Sequence, residues 1–82
     1  MRNYNILVVD DEKNILKIVS ATLKKEGYEV ETAQSSEEAI DKFGRGGYHL
    51  VITDLKLPGK TGIELMEYIK SRDADVPVVV VT

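Results

Sequence analysis

Runs of apolar residues alternate with amphipathic segments along this chain. Residues 4–9, 49–53 and 76–82 are continuous and rich in β-branched side chains, which is typical of strands buried on both faces of a parallel sheet. Residues 28–33 (YEVETA) instead alternate between apolar and polar, which predicts a half-buried strand at a sheet edge. The pattern therefore predicts four strands.

Three segments between these strands carry apolar residues at helical spacing. The first helix is predicted over residues 11–26, with Gly27 where a helix end favours a positive φ. The second opens at Ser35 and the third at Thr61, and a glutamate follows each by three residues, as in a capping box. The predicted apolar stripes are Ile15, Ile18, Val19, Thr22 and Leu23 in the first helix, Ala39, Ile40 and Phe43 in the second, and Ile63, Leu65, Met66 and Ile69 in the third.

The order of elements is therefore β-α-β-α-β-α-β, which indicates an α/β fold with a parallel sheet. The connections are too short for anything except right-handed crossovers. Because the chain has 82 residues and neither a linker nor a repeat, we expect one domain over residues 1–82.

Composition narrows the possible functions. The net charge is −3 and the basic residues are scattered, so we expect no direct binding to nucleic acid or to an anionic membrane. The chain has no cysteine and one histidine, which excludes thiolate chemistry and a histidine-rich metal site. We expect His49 to be a hydrogen-bonded surface or boundary residue rather than a ligand. No segment has the pattern of a membrane span or a signal peptide, so we expect a soluble cytoplasmic protein.

Residues with oxygen-bearing side chains lie at or just after the ends of three of the predicted strands. Asp10 and Asp11 follow the first strand, Asp54 follows the third, and Thr82 ends the fourth. In an open parallel sheet, ligands bind outside the carboxyl ends of the strands, where the strand order reverses. If the order is 2-1-3-4, these side chains share one crevice, in which three carboxylates repel one another unless a cation neutralises them. Mg²⁺ is the expected cofactor because it prefers oxygen ligands.

Each of these residues also has a purely structural interpretation. Asp11 could serve only to cap the first helix, Asp54 could be a solvated turn residue, and Thr82 could be ordinary strand composition. The coincidence of acids at the ends of two strands that should be neighbours favours the functional interpretation.

Three motifs, ILVVDDE (6–12), VITDLKLPGKTG (51–62) and VPVVVVT (76–82), together resemble the receiver domain of bacterial two-component response regulators. The resemblance extends over all 82 residues. It implies a flavodoxin-like open sheet with the strand order 2-1-3-4 and flanking helices. A lone pair of aspartates would not indicate this family.

The resemblance also implies a role for each candidate residue. Asp54 would be the phosphoacceptor and would receive a phosphoryl group from a phosphohistidine of a partner sensor histidine kinase. Asp10, Asp11, Asp54 and the backbone carbonyl of Lys56 would hold Mg²⁺, with Asp10 acting partly through water. Thr82 would hydrogen-bond the phosphoryl group and move with it, as part of a conformational switch. Such a chain would be no enzyme, apart from a weak autophosphatase activity.

The family's domain continues with a further helix, a fifth strand and a last helix, and the fifth strand brings a lysine to the phosphoryl group. We therefore expect a C-terminally incomplete receiver, truncated before those elements. Its fourth strand would be an open apolar edge. We expect the isolated monomer to be marginally stable and to self-associate through that strand.

Other functions are weaker alternatives. The chain could be a truncated, non-catalytic receiver fragment that acts as a folding or assembly unit, for example as a strand-paired or swapped dimer. A phosphatase of the haloacid-dehalogenase type also uses a strand-end aspartate with Mg²⁺, but it resembles D-x-D, and Lys56 occupies the second position here. Nucleotide binding is disfavoured because neither G-x-G-x-x-G nor a Walker A loop follows the first strand.

Overall fold

The computed structural model describes residues 4–81, which form strands and helices in the predicted order. The first helix begins at Lys13 rather than Asp11, because the Asp10 carboxylate accepts the backbone N–H of Glu12 in a turn that precedes it. Thr82 lies outside the described residues. The elements are β1 (Asn5–Val9), α1 (Lys13–Lys25), β2 (Glu29–Ala33), α2 (Ser36–Gly44), β3 (Leu50–Asp54), α3 (Gly62–Arg72) and β4 (Val78–Val81).

The four strands form one parallel sheet in the order β2-β1-β3-β4. This confirms the α/β class and the flavodoxin-like strand order. Val9 of β1 pairs with Thr53 of β3, and Asp54 pairs with Val81 of β4. The order reverses between β1 and β3, so the residues that follow these two strands share one edge of the sheet.

Two apolar clusters cover the two faces of the sheet. The side chains of β1 alternate between them, as the two-residue period of a strand requires. The smaller cluster joins Ile6 and Val8 to Leu16 of α1. The larger lies under α2 and α3 and contains Leu7, Val9, Ala33, Ala39, Phe43, Val51, Leu65, Ile69 and Val76.

The apolar stripe predicted for the first helix is partly wrong. Leu16, which the prediction omitted, is the buried residue of α1, and Val19 and Leu23 pack beside it. Ile15 and Ile18 are 42% and 63% exposed. The helix is thus rotated so that one side of the predicted stripe faces away from the sheet.

The prediction that strand 4 is buried on both faces is also wrong for the described chain. Val79 and Val81 are 47% and 51% exposed. The reason is that α1 packs over β1 and β2 and leaves this side of β4 uncovered. No helix in the described part of the chain is long and apolar enough to cross a membrane.

The helix ends follow local chemistry. Gly27 has φ 98° and donates to the Lys24 carbonyl, while Tyr28 donates to that of Leu23, so α1 ends in a Schellman motif. Thr61 and Glu64 form the complete capping box predicted for α3. At α2 the Ser35 hydroxyl accepts the Glu38 N–H, but the Glu38 carboxylate accepts from Gln34 instead of Ser35, so this box is incomplete.

Candidate functional site

Three carboxylates meet where β1 and β3 end. Asp10 and Asp11 follow β1, and Asp54 is the last residue of β3. One oxygen from each lies within 4.8 Å of the others. Asp10 and Asp54 are half-buried and Asp11 is exposed. The structure therefore brings together the three acids that the sequence placed at one edge of the sheet.

Asp10 and Asp11 play different local roles. Asp10 is fixed because its Oδ1 accepts the Glu12 N–H at 2.9 Å, and its own N–H donates to the Ala33 carbonyl. The N-cap residue of α1 is Glu12, and no side chain caps this helix. The capping interpretation of Asp11 is therefore wrong, and its carboxylate faces the other two from an exposed position.

Asp54 is held at one of its two carboxylate oxygens. Its Oδ1 accepts the Leu55 N–H at 2.9 Å, and the same N–H lies 3.0 Å from the Val81 carbonyl at the end of β4. Within residues 4–81, no hydrogen bond is made to Oδ2. Asp54 is thus an anchored, half-buried strand residue with one available oxygen, rather than a solvated turn residue.

The loop of residues 55–61 carries the chain from Asp54 to α3. Lys56, whose carbonyl was the predicted fourth metal ligand, lies in this loop with an exposed side chain. At the end of the loop, the Gly62 N–H donates to the Leu55 carbonyl at 2.6 Å. A Cβ on Gly62 would overlap the Asp54 carbonyl oxygen, so only glycine allows α3 to start this close to the acid.

Sequence reasoning missed Gly62. Its one local signal is a glycine at the first position of a helix that already has a strong cap, where a better helix former would be expected. A small crevice of about 100 Å³ adjoins Asp10 and Asp54, with Ile15, Val19 and Val81 on its walls. The crevice opens the carboxylates to small molecules on the α1 side of the sheet.

The donor set suits a hard divalent cation. All three donors are carboxylates, which Mg²⁺ prefers. One oxygen of each carboxylate lies within 4.8 Å of the other two, so the three residues are close enough to be ligands of a single ion.

His49 lies away from this cluster, next to Asn5 at the start of β1. It is an exposed, hydrogen-bonded histidine, as the sequence predicted, since its Nδ1 accepts the Asn5 N–H at 3.0 Å and its ring packs edge-on to Tyr4. Thr82 is outside the described residues, so its role stays a prediction.

Comparison with known proteins agrees with this architecture. The family model of the response regulator receiver domain matches residues 6–82. The chain is 35% identical over 82 residues to the uncharacterized transcriptional regulatory protein YkoG of Bacillus subtilis and 40% identical over 78 residues to response regulator RR06 of Streptococcus pneumoniae. These matches cover 100% and 95% of this chain and 36% of each relative, so it spans about a third of their length.

Solved structures show the same fold. The response regulator protein TrrA of Thermotoga maritima, crystallised in complex with Mg²⁺-BeF, has a TM-score of 0.90 and 43% identity, over 94% of this chain and 67% of the TrrA chain. TrrA has also been crystallised in complex with the histidine kinase ThkA, with a TM-score of 0.90, 43% identity and coverage of 96% and 68%. The family match over residues 6–82, together with this shared fold, shows that the chain belongs to the response regulator receiver domains, the signalling domains of two-component systems.

Proposed function

We propose that Asp54 is a phosphoacceptor and that Asp10, Asp11 and Asp54 hold Mg²⁺ beside it. The observation that carries this proposal is the convergence of three strand-end carboxylates within 4.8 Å, in a chain of the receiver family. Structural capping does not account for Asp11. The TrrA structure with Mg²⁺-BeF and its complex with ThkA support the choice of ion and of partner class.

Asp54 has the features of a nucleophile. Its Oδ1 is held by the Leu55 N–H, which leaves Oδ2 as the attacking oxygen, and Asp54 lines the crevice. It forms a bond to the phosphorus of a phosphohistidine, while the phosphorus–nitrogen bond breaks and its electron pair leaves with the imidazole. The product is an acyl phosphate on Asp54 and a free histidine on the kinase.

The other residues prepare this step. Asp10 is fixed by the Glu12 N–H and Asp11 is exposed, and each has an oxygen within 4.8 Å of one of Asp54. Bound Mg²⁺ supplies positive charge that offsets the carboxylates and the charge developing on the phosphoryl oxygens. The carbonyl of Lys56 is the proposed fourth ligand, and Thr82 is the proposed phosphoryl-sensing hydroxyl of the switch.

Several details belong to the same proposal. A sensor histidine kinase is the partner, hydrolysis of the acyl phosphate by the chain itself is weak, and the setting is the cytoplasm. These points rest on the family resemblance and on composition.

A mass measurement tests the phosphoacceptor role. The 82-residue chain is incubated with a small acyl-phosphate donor, with and without Mg²⁺, and its intact mass is read. We expect a gain of one phosphoryl group that requires Mg²⁺ and is abolished in Asp54→Asn. Asp41→Asn, which changes an exposed acid of α2 that pairs with Arg45, is the matched control and should be phosphorylated normally. A folded wild-type chain that gains no mass would refute the proposal.

Self-association through β4 is a second, independent proposal. Val79 and Val81 are about half exposed, and the outer edge of β4 has no partner strand within residues 4–81. Such an edge offers unpaired N–H and carbonyl groups to another chain. Sedimentation equilibrium over a concentration series tests this, and a monomer at every concentration would contradict it.

A further inference from the structure

We infer that Ser36, the first residue of α2, is a positioning residue for the site, because its side chain fastens the loop of residues 55–61. This inference rests on the proposed function, since its consequence is the placement of a proposed Mg²⁺ ligand. The sequence assigns the helix cap to Ser35 and no role to Ser36. In the structure, Ser36 is completely buried although it is a polar residue at a helix start.

Ser36 is linked to the loop by three hydrogen bonds. Its Oγ accepts the Lys60 N–H at 2.8 Å and donates to the Pro58 carbonyl at 3.2 Å. Its backbone N–H is directed at the same carbonyl at 3.4 Å. The hydroxyl therefore uses both its donor and its acceptor capacity on backbone groups of a loop more than twenty residues away in the chain.

The loop is shaped to receive this hydroxyl. Gly59 has φ 88°, and a Cβ placed on it would lie 2.6 Å from Ser36 Oγ. Glycine thus lets the loop backbone close over the serine, and the two residues form one contact. The combination of a buried serine and a close glycine is tertiary, so neither residue's neighbours in sequence reveal it.

The same loop carries the backbone carbonyl of Lys56. One end of the loop is fixed by the Gly62 N–H on the Leu55 carbonyl, and Leu57 packs against the larger apolar cluster. Ser36 holds Pro58 and Lys60, while the Glu64 carboxylate holds the Thr61 N–H at the start of α3. Without the Ser36 hydroxyl, α2 keeps only the long contact from the Ser36 N–H to the Pro58 carbonyl, so the loop is held less firmly and the position of the Lys56 carbonyl is less well defined.

Two serine-to-alanine variants separate this role from helix capping. Ser36→Ala removes the hydroxyl that holds the loop, whereas Ser35→Ala removes the hydroxyl that caps α2 by accepting the Glu38 N–H. The substitution is identical and the sites are adjacent. Amide hydrogen exchange and a titration with Mg²⁺ alone, followed by backbone NMR, are recorded for both variants and for the wild type.

We expect Ser36→Ala to accelerate exchange at Lys60 and to shift the amides of residues 55–61, while Ser35→Ala affects residues at the start of α2. We expect the Mg²⁺ dissociation constant to rise about tenfold in Ser36→Ala, as for other residues that orient a metal ligand, and to stay unchanged in Ser35→Ala. Equal Mg²⁺ affinity in both variants would overturn the inference. If Ser36→Ala does not fold, Gly59→Ala disturbs the same contact from the loop side and is expected to weaken Mg²⁺ binding likewise.

The two proposals fail in different ways. A wild-type chain that binds no Mg²⁺ contradicts the proposed function, and exchange at Lys60 in Ser36→Ala still decides whether the serine holds the loop. A wild-type chain that binds Mg²⁺ while Lys60 exchanges at the same rate in both proteins contradicts the role of Ser36 alone.

Discussion

Gly62 shows how closely single residues constrain the site. It begins α3 against the last residue of β3, and the space for a Cβ is already occupied by the Asp54 carbonyl oxygen. Gly44, at the end of α2, is the opposite case, because nothing lies within 4 Å of a Cβ there and its φ is not positive. The two glycines therefore form a matched pair.

We predict that Gly62→Ala lowers the free energy of unfolding by about 3 kcal/mol, because backbone must move to relieve the overlap. We predict that Gly44→Ala is neutral or stabilises by about 0.5–1 kcal/mol, since alanine is the better helix former. Urea denaturation of both variants measures the difference. Equal stability of the two would show that α3 can move away from Asp54 at little cost.

Among single residues, the acids of the site are easier to predict from the sequence than the residues that position the backbone around them. Asp10, Asp11 and Asp54 could be found because each follows an apolar run that ends without a turn residue. Ser36 and Gly62 could not be assigned, because their roles arise from contacts with a loop and a strand end. Those contacts exist only after the sheet has brought α2 and β3 together.

At the scale of elements, the start of α2 is stabilised by a charge network that depends on pH. The Gln34 N–H donates to the Glu38 carboxylate, and this bond, with help from Lys42, holds the pKa of Glu38 below its ordinary value of 4.5 against the opposing effect of burial. Lys42 also reaches Glu31 and the Thr32 carbonyl of β2. The network therefore joins α2 to the edge strand.

Because the pKa of Glu38 is lowered in the folded state, its contribution to stability is present above pH 4.5 and is lost as the pH falls through the folded value. We predict that Glu38→Gln makes the stability less dependent on pH in that acidic range. Glu37→Gln is the control, because Glu37 is exposed and its carboxylate makes no hydrogen bond or ion pair within residues 4–81. Unfolding is followed by circular dichroism from neutral to acidic pH. An identical acid dependence in both variants would contradict the assignment.

Element order, strand order and helix caps could be predicted because they depend on local patterns and on the family resemblance. The rotation of α1 could not be predicted with the same accuracy. Its apolar residues extend over more than one face, and only packing on the sheet selects Leu16, Val19 and Leu23 over Ile15 and Ile18. The start of α1 was predicted two residues too early, because the residues before Lys13 form a turn in which the Glu12 N–H donates to the Asp10 carboxylate.

At the scale of the whole molecule, the two faces of the sheet differ in how well they are covered. α2 and α3 enclose the larger apolar cluster, whereas α1 lies over β1 and β2 on the other face. Val51 of β3 is completely buried in the larger cluster. Val79 of β4 is about half exposed on the face of the sheet that α1 covers only over β1 and β2. The sequence alone could not predict that one of these valines is buried and the other exposed, because both belong to continuous apolar runs.

A matched pair of valine-to-threonine variants tests this asymmetry. We predict that Val79→Thr changes the free energy of unfolding by no more than about 0.5 kcal/mol, as is usual for an exposed site. We predict that Val51→Thr costs about 2 kcal/mol, because its hydroxyl would be buried without a partner. Chemical denaturation of dilute samples gives both values. A large loss in Val79→Thr would mean that this face of β4 is covered in solution.

The most direct test of the central claim locates the phosphoryl group on the chain. After reaction with an acyl-phosphate donor and Mg²⁺, borohydride reduces an aspartyl phosphate to homoserine, and peptide mass spectrometry identifies the modified residue. We predict homoserine at Asp54 alone, and none when Mg²⁺ is omitted. Modification at Asp10 or Asp11, or an unmodified Asp54 in a folded chain, would contradict the assignment of Asp54 as the phosphoacceptor.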